Sequence, residues 1–223
     1  KIVYAGREQL DAALTRLLTG LSNVAMEYSP DCAIPSLSRV DAGTVEAVRR
    51  RGVEILSSGD LVQRFEVAWN ADQLASHRAA SAALYRIKDR AFDAARAAVR
   101  DREPLTEYEL QQRMVAWFEQ EGLVSDSPPV VAIGANTGNP HYLPTASRSE
   151  PLVADKVLLL DLWGKRAAPG AVFADITWVG VTGTKVPQEP ARAFRAVALA
   201  RDAAVDLVEN AARTGRDLRG WEV

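Results

Sequence analysis

Val157-Leu-Leu-Leu-Asp161-Leu-Trp163 and Val172-Phe-Ala-Asp175-Ile-Thr-Trp-Val179 are separated by a stretch containing Gly164, Pro169 and Gly170. Their leucine, β-branched and aromatic content, with that punctuation between them, predicts two antiparallel strands of one hairpin. With the pairing centred near Ala168, Asp161 faces Asp175. Carboxylates directly across a ladder repel each other and weaken the sheet. Flanking apolar residues raise the penalty for keeping both ionised. A hard divalent cation bound through carboxylate oxygens would turn that repulsion into coordination. The spacing leaves a second reading open, because Asp161 lies a few residues from the turn, where solvated acids are common.

Upstream, Pro128-Pro-Val-Val-Ala-Ile133 reads as a strand. Gly134-Ala-Asn-Thr-Gly-Asn-Pro-His141-Tyr142 after it is polar and turn-rich, hence a loop. A histidine in such a loop is ordinarily just exposed. Before the strand, Thr106-Glu-Tyr-Glu109 has the form of a capping box. The helix it opens carries Leu110, Met114, Trp117 and Phe118 on its buried face, and Gly122 is placed to end it. Residues 66–103 read as one long helix with Leu74, Ser81, Leu84, Ile87, Ala91, Ala95 and Ala98 on one face. His77 falls on that same stripe, where a satisfied, half-buried imidazole is the ordinary reading.

Downstream, Pro187-Gln-Glu-Pro190 opens a helix to about Arg213, stopped by Gly215, with Phe194, Val197, Ala198, Val205 and Val208 expected inward. At the other end, residues 1–65 alternate short apolar strands (2–5, 23–28, 53–56) with helices over 9–18 and 40–51, the second stopped by Gly52. That β-α-β order predicts a small α/β domain.

Composition sets outer bounds. The chain has 223 residues, enough for one large or two small domains. Its 27 basic and 29 acidic residues give a net charge of −2, so neither nucleic acid nor an anionic membrane is expected as a partner. The single cysteine, Cys32, excludes an internal disulfide, fits a reducing compartment and reads as a packing residue. No apolar run approaches the ~20 residues of a membrane span. A cytoplasmic protein is therefore expected, and the first residue, Lys1, suggests that the natural start lies upstream.

The pattern LLLDLW…FADITW, preceded by a strand and Pro140-His141-Tyr142, resembles the pita-bread metallohydrolases, the family of creatinase, prolidase, aminopeptidase P and methionine aminopeptidase. The wording VAMEYSP…SRVDAGTVEAVRRRGVEILSS is similar to the latter part of the N-terminal domain of prolidase-like members, with that domain's early strands absent. The resemblance implies an α/β (α+β) architecture. Residues 1–65 would be a partial creatinase-type domain and residues 66–223 the first half of a pita-bread catalytic domain.

It further implies that Asp161 and Asp175 ligate a pair of divalent metals, Asp175 bridging both. The ions would be Mn2+ in the first instance, with Co2+ or Zn2+ as alternatives. His141 would stand beside the metals to hydrogen-bond substrate or shuttle a proton, and the substrate would be a proline-containing peptide cleaved at an Xaa-Pro bond. The His and two Glu that complete the ligand set in the family lie beyond Val223. The chain is thus expected to be a fragment, inactive and weak in metal affinity by itself, persisting as a homodimer or with the missing C-terminal half.

Two features depart from the family's pattern. The aspartates are more widely spaced than in many members, and Trp178 stands where many have Arg, which leaves the substrate open. The alternatives are a creatinase-type, metal-independent amidinohydrolase and a non-catalytic binding or assembly module.

Overall fold

A computed structural model describes residues 2–223, and the chain divides after Asn70 into two units. In the first, α1 (Arg7–Leu18), β1 (Asn23–Met26), α2 (Ala42–Arg49), β2 (Glu54–Ser57) and α3 (Gly59–Glu66) follow one another. The strands β1 and β2 are parallel, pairing Val24 with Ile55 and Ala25 with Leu56. Asp41 caps α2, its Oδ1 accepting from the Thr44 amide at 3.0 Å and its Oδ2 from the Thr44 hydroxyl at 2.6 Å. Gly52, at φ +76°, turns the chain into β2 through a conformation that side-chain-bearing residues avoid. Val45, Val48 and Val53 form the buried centre.

One expectation fails in this unit. Residues 2–5 form no strand, because no neighbouring segment supplies a ladder. The Ala5 amide instead donates to Gln9 Oε1 at 2.7 Å, a local bond at the entry to α1.

The second unit contains α4 (Ala71–Asp101), α5 (Glu107–Gln120), β3 (Leu123–Val124), β4 (Val130–Ile133), β5 (Val157–Arg166), β6 (Ala174–Val181) and α6 (Gln188–Thr214). The helix expected over 66–103 therefore starts at Ala71, and α3 is a separate element. The sheet is antiparallel, with β5 at its centre, β6 on one side, and β4 and β3 on the other.

Alternation along β5 turns Leu158, Leu160 and Leu162 toward the helices and leaves Leu159, Asp161 and Trp163 half-buried on the opposite face. The three leucines pack with Leu84, Ile87 and Ala91 of α4 and with Leu110, Met114 and Phe118 of α5. Burying side chains of this size contributes about 1.5–3 kcal/mol each. Alanines at 80, 83, 91, 95 and 98 on the buried face let α4 lie close to the sheet. The approach is tightest at Gly180 of β6, where a Cβ would stand 2.7 Å from Phe92 Cε1. The capping box forms as expected, Thr106 Oγ1 accepting from the Glu109 amide while Glu109 Oε2 accepts from the Thr106 amide.

A second expectation is corrected at α6. Phe194, Val197, Val205 and Val208 are exposed rather than inward, and Ala211 is the helix's one buried residue. The helical periodicity is real, but no described element packs along the stripe. Amphipathic spacing fixes which residues share a face, and burial requires a partner for that face.

Candidate functional site

The face of the hairpin turned away from α4 and α5 carries Asp161, Trp163, Asp175 and Thr177. The register differs from the one expected. Asp161 pairs with Thr177, and Asp175 pairs with Trp163, so the ladder is centred on Pro169 and the two aspartates are not directly opposite. The cause lies in the turn. Val172 and Phe173 do not join the ladder. The Val172 amide donates to Ser76 Oγ at 3.1 Å, and His77 Nδ1–H donates to the Phe173 carbonyl at 2.7 Å. These bonds strap the start of β6 to α4 and lengthen the connection, with Gly170 at φ +72° completing the bend.

The displacement between partners is two residues, which keeps both carboxylates on one face; a slip of one would have separated them. They stand in the diagonal relationship, within electrostatic reach across the ladder. Asp175 registers this: partial desolvation, and then the charge of Asp161, push its carboxyl above the ordinary carboxylate range. Asp161 is anchored from the neighbouring strand, its Oδ1 accepting from Thr177 Oγ1 at 2.8 Å. Trp163, opposite Asp175, is held by a bond from its Nε1 to Asp126 Oδ1 at 2.6 Å.

Two carboxylates on one face of a hairpin suit a hard cation, and their mutual repulsion is the kind that such an ion relieves. The donor set is incomplete, however. Among the described residues no three His, Cys, Asp or Glu side chains converge as a metal-holding group. His141 is thus not gathered into one cluster with Asp161 and Asp175. It lies exposed in the loop that leaves β4 at Ile133, its backbone amide donating to Asn139 Oδ1 at 3.0 Å. His77 takes the structural role expected of it, half-buried and bonded to Phe173.

Trp178, the departure noted in the sequence, is remote from the acidic face. It pairs with Leu160 on the helix-facing side. There it meets Tyr85 edge-on with ring centroids 5.9 Å apart, and the Lys88 ammonium sits 4.3 Å from its ring centre.

The residues that sequence reasoning left unassigned are Trp163, Thr177, Asp126 and, above all, Glu107. Glu107 is fully buried. Its signal was present: it precedes Leu110 by three and Met114 by seven, placing a charged residue on the apolar stripe of α5.

Comparison with known proteins bears on the fold. The chain superposes on a prolidase from Thermococcus sibiricus with a TM-score of 0.57 at 16% identity, covering 89% of this chain and 49% of that one. It matches an X-Pro aminopeptidase from Thermotoga maritima with a TM-score of 0.51 at 17% identity, covering 86% of this chain and 49% of that one. An X-prolyl aminopeptidase from Caenorhabditis elegans, described as a cytosolic enzyme with a di-nuclear active site, gives 0.55 at 19% identity, with 82% of this chain and 28% of that one covered. The chain thus spans about half the length of the first two, and at these identities the likeness concerns the pita-bread fold. No curated protein matches the chain. Among the described residues no helix is long and apolar enough to cross a membrane. The family model for metallopeptidase family M24 matches residues 78–220, and the chain belongs to that family.

Proposed function

We propose that this hairpin supplies the two aspartate ligands of a two-metal site for cleaving Xaa-Pro peptide bonds. The observation that carries the reading is the diagonal pair Asp161 and Asp175 on one face, with the proton affinity of Asp175 raised by partial desolvation first and then by its neighbour.

Divalent ions bound there would supply Lewis acidity toward the scissile carbonyl and lower the pKa of the attacking water toward neutrality. The chain's own residues have separate tasks. Thr177 holds Asp161 in one orientation by its hydroxyl hydrogen bond, as outer-layer donors do at metal centres. Leu159, Trp163 and Val179, half-buried or flanking the acids on the same side of the sheet, keep the site partly dry. The imidazole of His141, exposed in the loop after β4, donates a proton to the departing proline nitrogen.

Two carboxylates offer few of the roughly six oxygen ligands a hard divalent ion takes. Retention of metal through dialysis is accordingly not expected for this chain alone. The test is cleavage of Xaa-Pro dipeptides and longer Xaa-Pro peptides in added Mn2+, by the chain and by the complete natural gene product. Metal-dependent release of the residue before proline, abolished by Asp161→Asn and by Asp175→Asn, is expected from the gene product. Cleavage that survives both substitutions, or none from the gene product at any metal concentration, overturns the reading.

A further inference from the structure

The carboxylate of Glu107 receives five hydrogen bonds. Oε1 accepts from the Ile133 amide at 2.7 Å and from Asn136 Nδ2 at 3.0 Å. Oε2 accepts from the Glu150 amide at 2.8 Å, from Asn136 Nδ2 at 3.2 Å and from the Tyr142 hydroxyl. The backbone amide of Glu107 in turn donates to the Glu150 carbonyl at 3.0 Å.

Every side-chain bond thus reaches one segment: the end of β4, the turn after it, the residue beside His141, and the returning chain at Glu150. Between β4 and β5 the chain forms a short 3-10 turn at Gly134–Gly138 and an isolated bridge between Thr145 and Arg148, and it contributes no strand to the sheet. Its other ties lie at the far end, where Ser149 Oγ accepts from the Tyr108 amide at 3.1 Å, Thr106 bridges Pro151 and the Leu152 amide donates to the Leu105 carbonyl at 2.8 Å. Tyr142 is buried while His141, next to it, is exposed.

We propose that Glu107 is the positioning residue of the His141 loop, its buried carboxylate clamping Asn136 on one side and Tyr142 on the other so that the imidazole is presented from one fixed backbone. The proposal deepens the peptidase reading and rests on the proton-transfer role given there to His141. Local geometry supports a role beyond capping α5, since Thr106 and Glu109 already form that cap. The Tyr142 phenol is pushed up to about 12, by burial first and then by its bond to Glu107, so the clamp keeps its proton throughout the neutral range. An amide in place of the carboxylate turns an NH2 group toward N–H or O–H donors, which no rotation satisfies completely.

The experiment compares the chain with its Glu107→Gln and Tyr142→Phe variants by hydrogen exchange and by NMR of the histidine rings. The chain has two histidines, and His77→Gln assigns the signals. Glu107→Gln should speed exchange over 134–150 by roughly tenfold or more, the scale of leaving a buried polar group unsatisfied. Exchange in 110–118 and 158–162 should stay as it was, and the His141 ring signal should broaden or move to its free-peptide position. Tyr142→Phe should do the same to a smaller degree, and it decides the matter if Glu107→Gln does not fold. An unchanged His141 signal, or exchange accelerated equally through the core, overturns the proposal.

In the gene product, Glu107→Gln should lower kcat for Xaa-Pro cleavage roughly tenfold or more with KM little changed. A tenfold or larger rise in KM at unchanged kcat counts against positioning. Absence of cleavage by the unaltered protein removes the peptidase reading, while the exchange and ring signals still decide the role of Glu107.

Discussion

Asp175 lies across the ladder from Trp163, and Asp161 across from Thr177, so the two carboxylates share one face of the hairpin one diagonal step apart. Their proximity opposes folding in the absence of a counter-ion. Asp175→Asn should therefore stabilise the metal-free chain slightly, by up to about 0.5 kcal/mol, because the pair is diagonal and Asp175 is solvent-exposed. The same substitution should abolish any rise in unfolding midpoint with added Mn2+. Urea unfolding in chelator and in millimolar Mn2+ checks both signs, and a variant destabilised in chelator contradicts the repulsion.

The Tyr142 phenol has its pKa raised from 10.0 to about 12. A raised folded-state pKa stabilises the fold fully below the unfolded value and ceases to do so as pH rises through the folded one. The contribution of Tyr142 should thus be intact below pH 10 and disappear through about 12. Absorbance titration of the phenolates should show one of the five tyrosines ionising late, and Tyr142→Phe should remove that step.

Gly180 faces Phe92 so closely that a methyl group would meet the ring edge at 2.7 Å. Gly180→Ala should lower stability by about 1–3 kcal/mol through overpacking. Combining it with Phe92→Leu should restore part of that loss, and a urea-denaturation double-mutant cycle measures the coupling. Additive effects would place the strain elsewhere.

The α6 stripe should behave as surface. Val197, at 67% exposure, should accept Val197→Glu with a stability change within about 0.5 kcal/mol. A larger loss in thermal or urea unfolding would reveal a packing partner for the helix.

Much of the second unit is legible in adjacent residues. The alternation Leu158, Leu160, Leu162 against Asp161 and Trp163 marks a strand with one face in the core. The capping box at Thr106 and the left-handed glycines at 122 and 215 mark helix ends, because they act through bonds and dihedrals a few residues wide. The two aspartates could be singled out for the same reason, and their shared face follows from a period of two.

Other features required the folded chain. The hairpin register was set by Ser76 and His77, each 96 positions from its bonding partner. The partners of Glu107 lie 26 to 43 positions away, so the sequence exposed the oddity of a charge on an apolar stripe without saying what satisfied it. At α6 the spacing predicted a buried stripe that the described chain leaves exposed. Periodicity and capping are local and so are written in neighbouring residues. Register, burial and the satisfaction of a buried carboxylate depend on which distant segments meet, and only the tertiary structure decides that.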